Sequence, residues 1–143
     1  MRQLSTAVLA VLIAALAACS SNPAADLNAP PTGGTTSQQE VGKAVLKIGE
    51  SVTVNDLRLT FRSVEGDSRC PTDAVCVWAG DAEIALKIEQ GTQAAVAALH
   101  TTLEPKKTVW NGYTISLVTV TPARKSTTSV DPADYRAEVV VTR

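Results

Sequence analysis

Aromatic side chains are scarce in this chain: Phe61, Trp78, Trp110, Tyr113 and Tyr135 are the whole set. A core has to be built mostly from Val, Leu, Ile and Ala, which is feasible for one domain of this size but gives a modest core. Charge of either sign is not in excess. The formal net charge is -1, and no basic run exceeds Lys106-Lys107 or Arg124-Lys125. Binding to nucleic acid needs a clustered positive face, so no nucleic-acid partner is expected. Histidine occurs once, as His100, with no Ser or Asp grammar around it. There is no Gly-x-Ser-x-Gly elbow and no glycine-rich phosphate cradle. Cys-x-x-Cys is missing as well: Cys70 and Cys76 have five residues between them, the wrong spacing for tuned thiolate chemistry. These absences lead to the expectation of a non-enzyme without a cofactor.

What is present begins with an address. Arg2 forms a short basic region, and residues 4–15 are an apolar run too short to span a bilayer as a mature helix. Leu16-Ala17-Ala18-Cys19 follows, with small residues leading to a cysteine. This resembles the lipobox of bacterial lipoprotein signal peptides. The resemblance implies a signal peptide over residues 1–18, removed before Cys19, whose thiol is diacylglycerylated and whose new amine is often acylated, for instance by palmitate. The membrane is then a partner through the lipid anchor at Cys19, and more than one acyl chain makes such attachment stable. Ser20, rather than Asp, follows the cysteine. By the same resemblance this implies the outer membrane facing the periplasm, or the cell membrane in a host with only one. An ordinary secretory signal with a free cysteine is the alternative.

With Cys19 lipidated, Cys70 and Cys76 remain as an even pair in an exported chain, where a disulfide is the expectation. Closing so small a loop contributes roughly 2 kcal/mol by chain entropy, less any strain. Residues 19–42 are rich in Ser, Asn, Pro, Gly, Thr and Gln, with apolar residues lacking any period. No core can form there, and a tether is expected. At about two dozen residues it would hold a domain on the order of 25 Å from the bilayer.

From Lys43 onward the pattern becomes alternation, and residues 43–143 read as one β domain. Ala44, Leu46 and Ile48 oppose Lys43 and Lys47; Leu57, Leu59 and Phe61 alternate with Arg58, Thr60 and Arg62; Ile84, Leu86 and Ile88 alternate with charged neighbours. Gly49-Glu50 and Asn55-Asp56 are turn candidates. The Ala-rich stretch from Gln93 to Thr101 reads as a strand, since a helix there would lack a cap and an apolar stripe. Asn111-Gly112 is the best hairpin signal, because a type I′ turn requires positive φ at both positions. After Leu117 the alternation shifts phase at Val118 and Val120, as a bulge would cause. Pro122 ends that strand, a polar loop follows, and Tyr135, Ala137, Val139 and Val141 form the last strand. Seven or eight short strands with no convincing helix predict an all-β fold, an antiparallel β-sandwich or a small barrel.

The densest polar segment is 67–81. Asp67-Ser68-Arg69-Cys70-Pro71, then Cys76, Val77, Trp78-Ala79-Gly80 and Asp81 resemble the signature of a family of small bacterial secreted and lipid-anchored proteins to which no activity is attached. The likeness extends loosely through Gly49-Glu50, Gly112-Tyr113 and the Tyr135 strand. On packing grounds, Cys76 and Trp78 lie two apart and are expected on one face of a strand, with the indole stacked on the disulfide as a core nucleus. Gly80 permits a turn or bulge. The competing expectation is a rigid recognition loop carrying Asp67, Arg69, Thr72, Asp73, Trp78 and Asp81, because binding residues gather on such loops. Arg69 could equally be pinned to Asp67, Asp73 or Asp81. Those aspartates are hard oxygen donors, but their spacing does not match a calcium loop and no metal is expected. His100 reads as a surface or capping residue. The functional expectation is a lipid-anchored envelope protein with a non-catalytic binding role toward an envelope protein. The alternatives are a protease-inhibitor-like or small hydrolytic or accessory protein using the same loop, and a purely structural envelope lipoprotein.

Overall fold

A computed structural model describes residues 38–143. The expected signal peptide, Cys19 and most of the expected tether lie outside the described residues. Eight strands follow one another: β1 Glu40–Lys47, β2 Ser51–Val54, β3 Leu57–Asp67, β4 Ala82–Gln90, β5 Gln93–His100, β6 Lys107–Trp110, β7 Tyr113–Thr121 and β8 Arg136–Thr142. Among the described residues the only helical piece is a 3-10 turn, Pro132–Asp134, capped by the Asp131 side chain. All strand pairings are antiparallel and form two four-stranded sheets, β1-β8-β7-β6 and β2-β3-β4-β5. The fold is a β-sandwich. The barrel alternative fails because each sheet keeps two free edges instead of closing on the other.

Alternation decides which side chains meet. Leu57, Leu59 and Phe61 of β3 and Ile84, Leu86 and Ile88 of β4 face Ile115, Leu117, Val139 and Val141 of the other sheet, and all are buried. Phe61 and Tyr113 are the bulkiest fully buried side chains, and most of the remaining core is aliphatic. Sheets pack about 10 Å apart when inner faces interdigitate in this way. The phase shift after Leu117 is a bulge: Val118 is exposed, while Val120 returns to the core. Gln93–His100 is a strand, as its lack of a cap implied, and only Leu99 of it is buried.

The first strand starts earlier than composition suggested. Glu40-Val41-Gly42 belongs to β1, although it reads as tether. Gly42 pairs with Val141, and a Cβ there would approach Val54 to 2.8 Å, so its bareness serves packing rather than flexibility. A second correction concerns Cys76-Val77-Trp78, which was expected to lie on a strand. Residues 68–81 contain none, and β4 begins only at Ala82.

The two ends of the sandwich differ. One end carries tight turns at Asn55-Asp56, Gly91-Thr92 and Asn111-Gly112, together with the entering chain, where Gln39 pairs with Arg143. Asn55, Gly91, Asn111 and Gly112 all take positive φ there. Asp56 ties this end across the sheets by accepting from Tyr113 Oη at 2.7 Å. The other end gathers three longer connections, 68–81, 101–106 and 122–135. A nine-residue strand such as β7 separates the ends by roughly 30 Å.

Because so little aromatic mass fills the core, Phe61→Ala should destabilise the protein by about 3–5 kcal/mol in urea unfolding, whereas Val45→Ala on the exposed face of β1 should stay within about 0.5 kcal/mol.

Candidate functional site

The segment 68–81 begins as a continuation of the β3–β4 hairpin. Ser68 N donates to Asp81 O at 2.7 Å and Cys70 N to Ala79 O at 2.9 Å. The two limbs approach so closely at Gly80 that any side chain is barred: a Cβ would stand 1.9 Å from Ser68 O, and φ is +69. Glycine was expected to permit a turn here; its stricter role is to let backbone touch backbone.

Arg69 locks the segment to the opposite sheet. Its Nε and Nη2 donate to Asp67 Oδ1 and Oδ2 at 2.8 and 2.6 Å, a two-pronged carboxylate pair. The same guanidinium donates to Val120 O and, at 2.9 Å, to Pro122 O at the end of β7. Tyr135 Oη completes the Asp67 carboxylate at 2.9 Å. Burial alone would raise the Asp67 pKa, but the hydrogen bonds from Arg69 and Tyr135 outweigh it and hold the carboxyl below its ordinary range. Of the three partners open to Arg69, the fold selects Asp67. Its guanidinium and the carboxylate are both largely shielded from water, so removing one partner would strand the other.

The outer part of the loop is braced separately. Asp73 accepts from Ser126 N at 2.8 Å and Ser126 Oγ at 2.7 Å, and its pKa is lowered by these bonds. Thr72 N donates to Arg124 O, and Arg124 Nη1 donates back to Arg69 O. Cys70 and Cys76 form the expected disulfide, with Cα atoms 5.9 Å apart.

Asp81 pins the base of the loop to the 101–106 connection. It accepts from His100 Nδ1 at 2.7 Å, Thr102 N at 2.8 Å, Thr101 Oγ1 at 3.2 Å and Leu103 N at 3.3 Å. Burial opposes its ionisation, yet these donors, His100 first, lower its pKa to about 2. An ionised carboxylate can only accept, so His100 carries its proton on Nδ1. His100, expected as a surface or capping residue, is part of the loop's bracing. The Ser68 hydroxyl in the same cleft is occupied with the Asp81 backbone, donating to its carbonyl and accepting from its N–H.

Trp78 reverses the packing expectation. It is 82 % exposed, with Val77 at 90 % and Val75 fully exposed beside the disulfide. The indole is not a core nucleus, because the aliphatic inner faces already fill the space between the sheets and the loop lies beyond their end. Trp78, Val77 and Ala79 instead form one wall of an open groove of about 490 Å³, with Thr102 and Leu103 as the other wall. Of the six residues expected in a recognition loop, Asp67, Arg69 and Asp81 are drawn into the scaffold, Thr72 and Asp73 stay exposed but are tied to the 122–135 connection, and Trp78 is a large apolar side chain held out in water. The three aspartates do not converge, and among the described residues no group of three His, Cys, Asp or Glu is placed to hold a metal.

Sequence reasoning missed His100, Tyr135, Arg124 and Ser126, each 19 or more positions from its partner in the loop. Only for His100 was there a hint, as the single histidine near the end of a strand. Comparison with protein-family models, curated proteins and solved structures finds no match.

The low Asp81 pKa fixes an acid limb. The carboxyl titrates lower in the folded protein than in the unfolded chain, so its contribution is complete above about pH 4 and is lost as pH falls towards 2. Asp81→Asn should cost about 1–2 kcal/mol at neutral pH. The gap between its urea midpoint and that of the wild type should close progressively as the pH falls below about 4.

Proposed function

We propose that the protein is a lipid-anchored envelope protein that recognises an envelope protein partner without catalysis, through the 67–81 loop and the facing 101–106 connection. The observation that carries this reading is Trp78: a large indole held out in water on a segment braced by a disulfide, an Arg–Asp clamp and two pinned aspartates. An exposed aromatic on a preordered loop loses little entropy on binding and buries much area, and tryptophans lead among interface hot spots. Val75, Val77 and Leu103 extend the apolar surface around it. The lipid anchor at Cys19 rests on the resemblance of the leader to lipoprotein signal peptides, and a tether between Cys19 and the start of β1 at Glu40 rests on composition. The chain enters the sandwich at the end opposite the loop, so attachment there leaves the loop end free for a partner.

A second reading, inhibition of an envelope protease, is favoured by one detail. Val75 is wholly exposed within the segment closed by Cys70 and Cys76, as a residue offered to a cleft would be. Cleavage between Pro71 and Val75 on incubation with proteases, together with loss of protease activity, would select it.

In intact cells, a photo-crosslinker at Val77 should give a discrete protein adduct, and one at Thr36 should not. Thr72 is a poorer site because it is tied to Arg124. Trp78→Ala should abolish the adduct or weaken the complex about 30-fold, with stability unchanged to about 0.5 kcal/mol. An equal adduct yield with and without the indole would remove the loop from consideration.

A further inference from the structure

The sandwich has four edge strands, and three of them are guarded. β1 carries Lys43, Lys47 and a bulge between Glu40 and Gly42. β2 and β6 are four residues long, and β6 is preceded by Pro105 and Lys106. Short strands, lysines, prolines and bulges are the devices that keep sheet edges from pairing with other chains. β5 has none of them. It is eight residues long, pairs with β4 without a register shift, and from Gln93 to Leu99 has no charged residue and no proline.

Its register shows which backbone groups are free. The Gln90–Gln93 hairpin turns the backbone of Gln93, Ala95, Ala97 and Leu99 toward β4, in step with the Thr101 N to Ala82 O bond. Ala94, Val96 and Ala98 therefore present N–H and C=O outward, and their side chains are exposed. Among the described residues, no backbone bond to this outward row is made before His100, whose N–H reaches Pro105 O.

We propose that β5 is a self-association edge that pairs antiparallel with β5 of a second copy of this chain, about a two-fold axis at Val96. Self-pairing in that register sets Val96 against Val96 and Ala94 against Ala98, all on the outward backbone row. The strand is complementary to itself: it brings no like charges together, and its small side chains do not clash. A partner of another kind would take its specificity from charge or side-chain pockets along the edge, and β5 offers neither. An eight-residue edge is a small interface beside the roughly 1,200 Å² of stable complexes, so the pairing is weak in solution. Confinement of the chain to a membrane by the proposed lipid anchor would raise its effective concentration.

The test uses the full-length protein in its membrane under mild oxidation. In the hydrogen-bonded antiparallel register the two Val96 Cα atoms lie about 5.5 Å apart, within disulfide reach. Val96→Cys should crosslink to a dimer at least about tenfold faster than Val45→Cys on β1. Ala94→Cys alone should behave like that control, whereas co-expressed Ala94→Cys and Ala98→Cys chains should crosslink with each other. Adding Val96→Lys, which opposes two like charges at the axis, should abolish that mixed product; Val96 is 59 % exposed, so the fold tolerates it. Equal rates at Val96 and Val45, or a mixed product that survives Val96→Lys, would overturn the proposal. Loss of the Trp78 partner leaves this outcome untouched, because β5 takes no part in that groove.

Discussion

The burial of alternate side chains between two antiparallel sheets is the constraint from which everything else in this molecule follows. With few aromatics, the core is a compact aliphatic layer contributed chiefly by β3, β4, β7 and β8. That layer fills the space between the sheets and stops where they stop. Whatever lies beyond the end of the strands must be held by other means, and the 68–81 segment is held by polar ones. A disulfide, a shielded Arg–Asp pair and two hydrogen-bonded carboxylates replace the packing that the core does not supply.

This division of labour explains an apparent inversion in the loop. Its charged residues, the usual surface formers, are spent on bracing it, Arg69 and Asp81 from within and Asp73 at the rim, while Val75, Val77 and Trp78 turn outward. Each of the three aspartates is met by donors from elsewhere in the chain: Tyr135 and Arg69 for Asp67, Ser126 of the same 122–135 connection for Asp73, and His100 with the 101–103 backbone for Asp81. The three long connections at this end are thereby fastened into one surface. The opposite end is closed directly by two-residue turns with positive φ, with a few side-chain bonds such as Tyr113 to Asp56 between them.

Edges complete the same logic. Sheets that stack without closing leave four edges, and three of them carry charge, a bulge or brevity against unwanted pairing. β5 departs from that pattern through its alanines, whose intrinsic preference is for helix rather than strand. The strand exists because β4 pairs with it and Leu99 anchors it in the core.

Local sequence by itself determined most of the strands and their buried faces, the Asn111-Gly112 hairpin and the bulge at Val118, because periodicity and turn chemistry depend on neighbours within a few positions. It missed the start of β1 and placed a strand over 76–78, where there is none. The even pair left in an exported chain pointed to the Cys70–Cys76 bridge, whereas the need for a bare Gly80 came only from the backbone that meets it across the loop. Only the tertiary structure decided sandwich over barrel, the partner of Arg69, the service of His100 to Asp81 and the outward face of Trp78. Those outcomes turn on which segments meet at the end of the sandwich, across separations of up to 68 positions. Local patterning carries no information about such meetings: an indole two residues from a cysteine fits a core or a surface equally well until the packed sheets leave it no room inside.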